Sequence, residues 1–208
     1  MNSLLLIDNR INDMSTIIQS LNPNTKYIII DYDNDTYDSI INKINNISKI
    51  ENILSYNNVG IFQENYELYS YQFVNAFENS VLENVEELDN NLDSWSQFKL
   101  LISYFKNVLM ASNIDLMGCN IHSNINRNFV IEKIQNEIKI NINSSNDNTG
   151  NAQLDGNWIL ESNNKDLIGS YFTENIKTYN FILGYTNNHS VFLMKNGYIY
   201  SCGSNNFG

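Results

Sequence analysis

Apolar positions in the first third of the chain switch between two rhythms. Leu4-Leu5-Leu6-Ile7 is an unbroken run closed by Asp8-Asn9, and Tyr27-Ile28-Ile29-Ile30 repeats it. Continuous short runs of this kind are the pattern of strands buried on both faces. Between them Met14, Ile17, Ile18 and Leu21 fall at helical spacing, and Asn22-Pro23-Asn24 ends that helix. Asp35 is placed to cap a second helix whose inward stripe is Ile40, Ile41, Ile44 and Ile47. Ile53-Leu54-Ser55-Tyr56 then predicts a third strand. Strands alternating with helices over short links predict an α/β domain with a mostly parallel sheet and helices on both faces.

Gly60 to Phe73 is rich in Tyr and Phe and predicts an excursion such as a hairpin. Val81 to Met110 is mostly helical, with Val85, Leu88 and Leu92 on one face. Trp95, Phe98, Leu101, Ile102, Phe105, Val108 and Leu109 form a second apolar segment. The acidic patch Glu83, Glu86, Glu87 and Asp89 is read as a solvated helix face. Ile114 to Gly118 predicts a fourth strand, followed by a loop carrying His122 and a helix with Phe129, Ile131, Ile134 and Ile138. Ile140 and Ile142 predict a fifth short strand, and Ser144 to Gly150 is a polar loop. Leu154 to Glu161 predicts a turn feeding an edge strand, and 163–184 a terminal strand or short helix with a linker.

Composition narrows the function classes. The net charge of −11 repels phosphate backbones, and no Lys/Arg cluster reverses it locally, so direct nucleic-acid binding is not expected. The first apolar run has no basic region before it and breaks at Asp8, unlike a signal peptide, and no stretch reaches membrane-spanning length. A cytoplasmic location without membrane contact is expected. Two cysteines, Cys119 and Cys202, in different modules argue against a disulfide framework. The 40 asparagines are interleaved with periodic apolar residues, which reads as compositional drift rather than low-complexity disorder.

Candidate chemistry is sparse. Asp31, Asp33 and Asp35 alternate like a calcium loop, but Thr36 and Asn42 occupy the positions needing glycine and a bidentate glutamate, so no metal site is expected. No glycine-rich phosphate loop follows the first or second strand, which weighs against a nucleotide-binding domain and leaves no cofactor implied. Met117-Gly118-Cys119-Asn120 closes the fourth strand, and open α/β sheets place their ligand and active-site groups at that edge. Alone, a cysteine there is often just a small buried hydrophobe.

Met117-Gly118-Cys119-Asn120, the Ser-rich loop and Leu154-Asp155-Gly156-Asn157-Trp158 together resemble a caspase-like domain of unknown function found near the N-terminus of large bacterial secreted repeat proteins. The resemblance covers residues 3 to 162 and implies a caspase-like three-layer sandwich over residues 1–162. In that family the third strand ends in Ser-His-Gly and the fourth in Tyr-Gly-Cys-Asn. It implies Cys119 as nucleophile, Gly118 and Asn120 beside it, and a histidine base from the neighbouring strand. Aligning Ser55 with the family serine puts Tyr56 on that histidine and Asn57 on the glycine. Tyrosine, with a pKa near ~10, is a poor proton shuttle at neutral pH. His122 is a weak alternative base, three residues after Cys119. The expected function is therefore a non-catalytic pseudoenzyme that engages a protein or peptide. A cysteine peptidase using Cys119 with an atypical base is the alternative. Oligomeric state is open.

His189-Ser190, an apolar run, Asn196-Gly197, a second run and Gly203-Ser204-Asn205 are similar to one unit of the regulator-of-chromosome-condensation propeller repeat. Asn-Gly between two apolar runs is a hairpin signal by itself. Residues 185–208 are expected to form a hairpin from an incomplete propeller blade, as in a truncated gene product or a piece of a longer repeat protein. One such unit cannot bury its faces alone.

Overall fold

The computed structural model describes residues 1–31, 34–63, 92–123, 125–183, 189–193 and 199–203; for 92–97, 125–127, 130, 189–193 and 199–203 it describes backbone only. Its centre is a five-stranded sheet, β1 (Ser3–Asp8), β2 (Thr25–Ile30), β3 (Asn58–Phe62), β4 (Asn113–Met117) and β5 (Asn141–Ser144), in the order β2-β1-β3-β4-β5. Every neighbouring pair is parallel. The helices α1 (Met14–Gln19), α2 (Tyr37–Ile50), α3 (Leu92–Asn107) and α4 (Ile125–Ile138) connect them. The fold is α/β, as the alternating rhythms predict.

Strand alternation divides the core into two layers. Leu4, Leu6, Ile28, Ile30, Val59, Ile61, Ile114, Leu116 and Ile142 face Ile40 and Ile44 of α2, Phe98 to Phe105 of α3 and Ile131 and Ile134 of α4. The other face carries Leu5, Ile7, Phe62 and Met117. It is covered by Ile17 of α1 and by a wrap running from Trp158 to Leu183. Phe62, Trp158, Phe172 and Tyr179 form a chain of ring contacts with centroids 5.5–6.2 Å apart. Such pairs contribute about 0.5–1.5 kcal/mol each beyond their burial.

Several expectations need correction. The third strand is Asn58–Phe62, not Ile53–Tyr56. Ile53 to Asn57 is instead the approach to it: Leu54 is 90% exposed, and the Tyr56 amide donates to the Leu109 carbonyl. The cap of α2 is Thr36 rather than Asp35, in a reciprocal box with Ser39. Asp35 instead accepts from Lys43 Nζ at 2.5 Å and from the Asp31 amide at 2.6 Å, and the contacts to Lys43, Asp31 and Ser39 outweigh the cost of burial and hold its carboxyl below the ordinary range.

The expected edge strand after Leu154 does not join the central sheet. Gly156–Asn157 (β7) pairs in parallel with Asn148–Thr149 (β6), and Ile159–Leu160 (β8) pairs antiparallel with Lys165–Asp166 (β9). Residues 163–183 contribute Leu167, Tyr171, Phe172, Ile176, Tyr179 and Leu183 to the core, each fully buried. The tail forms the expected hairpin, β10 (His189–Leu193) against β11 (Ile199–Gly203), in antiparallel register. The aromatic excursion after Gln63 and the acidic face at Glu83–Asp89 lie outside the described residues.

Candidate functional site

β4 ends at Met117, Gly118 turns the chain, and Cys119 follows at the carboxyl edge. Asn120 takes φ 56, a left-handed conformation that asparagine tolerates better than most residues. Three backbone bonds hold this turn, one to the end of the wrap and two to the loop after β5. Cys119 donates to Leu183 O at 3.1 Å, Asn120 to Asp147 O at 2.8 Å and His122 to Ser145 O at 2.7 Å. The Cys119 side chain is 2% exposed. Its sulfur accepts the Thr149 amide at 3.3 Å and lies 3.8 Å from the Thr149 carbonyl, so the thiol has both a donor and an acceptor on one residue. That pairing suits a protonated thiol, since a thiolate has no hydrogen to offer the carbonyl.

The sequence-predicted partners are not brought together around this sulfur. Tyr56 precedes β3 while Cys119 follows β4, so the five residues of a strand, at about 3.3 Å each, lie between their levels. Tyr56 is also packed in the layer with α2, where its hydroxyl meets Ser48 Oγ at 3.0 Å and burial raises its pKa. The expected third strand ends at Tyr56, whereas β3 ends six residues later, at Phe62. The described residue at the carboxyl end of β3 is Gln63, whose amide donates to Met117 O at 3.2 Å. His122 stands on the Cys119 turn, half-buried, with no hydrogen-bond partner for Nδ1 among the described residues.

A carboxylate pair braces the loop over Cys119. Ser145 Oγ donates toward Asp147 Oδ1 at 3.1 Å and Glu161 Oε2 at 2.8 Å, while Asn157 Nδ2 donates to Asp147 Oδ2 at 2.8 Å. Burial, reinforced by the Glu161 charge, raises the Asp147 pKa despite the opposing bonds from Ser145 and Asn157. An acid whose pKa is raised by folding binds more protons when folded, so stability falls as pH rises from the ordinary value near ~3.9 through the raised one. Asp147→Asn is therefore expected to gain in Tm over wild type as pH climbs to 7, and to show no gain near pH ~3. Thermal melts of both proteins across that range check it.

Sequence reading missed a second polar centre, built around the middle of β4. Asp115, in the middle of β4, is fully buried and accepts from Asn143 Nδ2 at 2.5 Å, Tyr171 Oη at 2.5 Å and Lys165 Nζ at 2.6 Å. Burial and the Asp115 charge push the Tyr171 pKa well above its ordinary value. Lys165 also donates to Asn58 Oδ1 at 2.9 Å and lies 5.7 Å from the Tyr171 ring centroid. The signal was present, since an acid inside Ile114-Asp115-Leu116-Met117 contradicts an otherwise apolar buried strand. Among the described residues no group of three or more His, Cys, Asp or Glu is placed to hold a metal ion, and no helix is long and apolar enough to cross a membrane.

Compared with known families, residues 4–183 match the model described as Domain of unknown function (DUF4347). Residues 184–208 match that of the regulator of chromosome condensation (RCC1) repeat. No curated protein and no solved structure matches the chain.

Proposed function

Because the chain belongs to the DUF4347 family of domains of unknown function, with a regulator of chromosome condensation repeat directly after the domain, we propose that it is a non-catalytic, caspase-like module that engages a protein or peptide. The observation that carries this reading is the state of Cys119. A cysteine nucleophile needs an accessible sulfur with a base or a cation lowering its pKa. Here Cys119 is 2% exposed and its sulfur is bonded to the backbone of Thr149. In the parallel order β2-β1-β3-β4-β5, Cys119 stands just past the end of β4, at the edge where open α/β sheets place active-site groups. The repeat at residues 184–208 supports a protein partner, because arrays of such units present extended binding surfaces.

The test is incubation of the full chain with a diverse peptide library, read by mass spectrometry, beside Cys119→Ala. The reading expects identical, background-level product patterns. Cleavage at defined bonds by wild type that disappears in Cys119→Ala would establish the peptidase instead.

A further inference from the structure

At the amino end of the sheet, Asn58, Asn113 and Asn141 open β3, β4 and β5 and stand in register, each opposite the next. Their side chains form a one-way hydrogen-bonded row. Asn141 Nδ2 donates to Asn113 Oδ1 at 3.4 Å, Asn113 Nδ2 to Asn58 Oδ1 at 3.2 Å, and Asn58 Nδ2 to Ser3 Oγ at 3.4 Å. Ser3 passes the chain on to the Ser170 carbonyl at 3.1 Å. A second tier lies beneath: Asn163 Nδ2 donates to Asn143 Oδ1 at 2.6 Å, and Asn143 to Asp115. With Lys165, these carboxamides line an open cavity of about 420 Å³.

We infer that this cavity is a binding site for a small neutral polyhydroxylated molecule, a sugar or polyol, held edge-on through its hydroxyls by the asparagine row. Each carboxamide has two N–H donors and an oxygen with two lone pairs. In the row one N–H of each is committed to its neighbour, which orients the amide plane and leaves the second N–H available to a ligand. The row thus offers fixed donors at the strand spacing of about 4.8 Å, with the Asn141 oxygen as an acceptor at its open end. Holding the amides in place beforehand removes most of the entropy cost of ordering them on a ligand.

Charge selects against ions. The Lys165 ammonium is already neutralised by Asp115, so an anion finds no net positive charge and must also overcome the −11 of the whole chain. A cation finds no carboxylate in the lining to replace its hydration shell. A hydroxyl, which both donates and accepts, matches a lining of paired amide donors and acceptors. All six lining residues are Asn or Lys, so there is no aromatic face for stacking and affinity rests on hydrogen bonds alone. Dissociation constants in the millimolar range follow.

The experiment titrates the ¹⁵N-labelled full chain with N-acetylglucosamine, methyl glucoside and glycerol. Sodium acetate and inorganic phosphate are the charged comparators, and the side-chain amide resonances of Asn113 and Asn141 are followed by NMR. The expected result is saturable shifts of those resonances with at least one sugar. Affinity should fall about tenfold, the loss of one hydrogen bond, in Asn141→Ala, whose side chain is largely exposed and adds little to folding. Absence of saturable shifts with every neutral probe overturns the inference. So does a tighter response to acetate or phosphate, or sugar binding that Asn141→Ala leaves unchanged. The inference does not depend on the fate of Cys119.

Discussion

Replacing Lys165 by methionine is expected to destabilise the domain by about 3–5 kcal/mol, the largest effect of any single substitution considered, because it strips a buried carboxylate of its counter-charge. Asp115 is fully buried, and the Lys165 side chain is 16% exposed, so solvent screens this pair far less than a surface bridge. The bonds from Asn143 and Tyr171 remain in Lys165→Met, but hydrogen bonds from neutral groups do not offset a full charge in a low-dielectric layer. The loss should be recovered largely in the double variant Asp115→Asn/Lys165→Met, in which no charge is left buried and the amide oxygen still accepts from Tyr171 or Asn143. Urea unfolding of the wild type, the single and the double variants measures both numbers. Equal stability of wild type and Lys165→Met would overturn this prediction.

Gly150→Ala is expected to cost about 2–5 kcal/mol, combining backbone strain with overpacking. Gly150 has φ +135, a region closed to other residues, and a Cβ there would sit 2.5 Å from the Phe181 oxygen and 2.8 Å from Ile182 Cα. Both obstacles are backbone, so no rotamer change relieves them. The site matters because the wrap is tied to the sheet edge here. Asn151 donates to Phe181 O at 2.9 Å, Leu183 to Thr149 O at 2.8 Å, and Cys119 to Leu183 O at 3.1 Å. Displacing residues 181–183 therefore loosens the seal over the Cys119 sulfur. The same denaturation assay reads the stability change, and thiol alkylation reads the loosening.

Strands β1, β2 and β4, helices α1 and α2 and the terminal hairpin were legible because their apolar spacing is unambiguous over a whole element. Strand β3 was not. Asn58-Val59-Gly60-Ile61-Phe62 contains two weak strand formers, whereas Ile53-Leu54-Ser55-Tyr56 scores better by composition. Gly60 is there for packing: a Cβ would lie 2.6 Å from Met117 Cε and 2.8 Å from Leu5 Cδ1. That long-range constraint is invisible to a local pattern. The shift of β3 moved the predicted partner of Cys119 to the wrong end of the sheet, although Cys119 itself was placed correctly at the edge after β4.

The second polar centre was hidden differently. Asp115 announced itself, but its counter-charge lies fifty residues later in a two-residue strand that no periodicity marks. The asparagines that open β3, β4 and β5 were absorbed into a general excess of asparagine. Only the register of the sheet separates those three from the rest.

That Cys119 is a thiol clasping a loop rather than a poised nucleophile is tested directly by its rate of alkylation by iodoacetamide at pH 6. The predicted result is a rate well below that of glutathione under the same conditions, rising to the glutathione rate when the chain is unfolded in urea. Modification of Cys119 in the folded protein faster than glutathione at pH 6 would contradict it, because only an exposed sulfur with a depressed pKa reacts in that way.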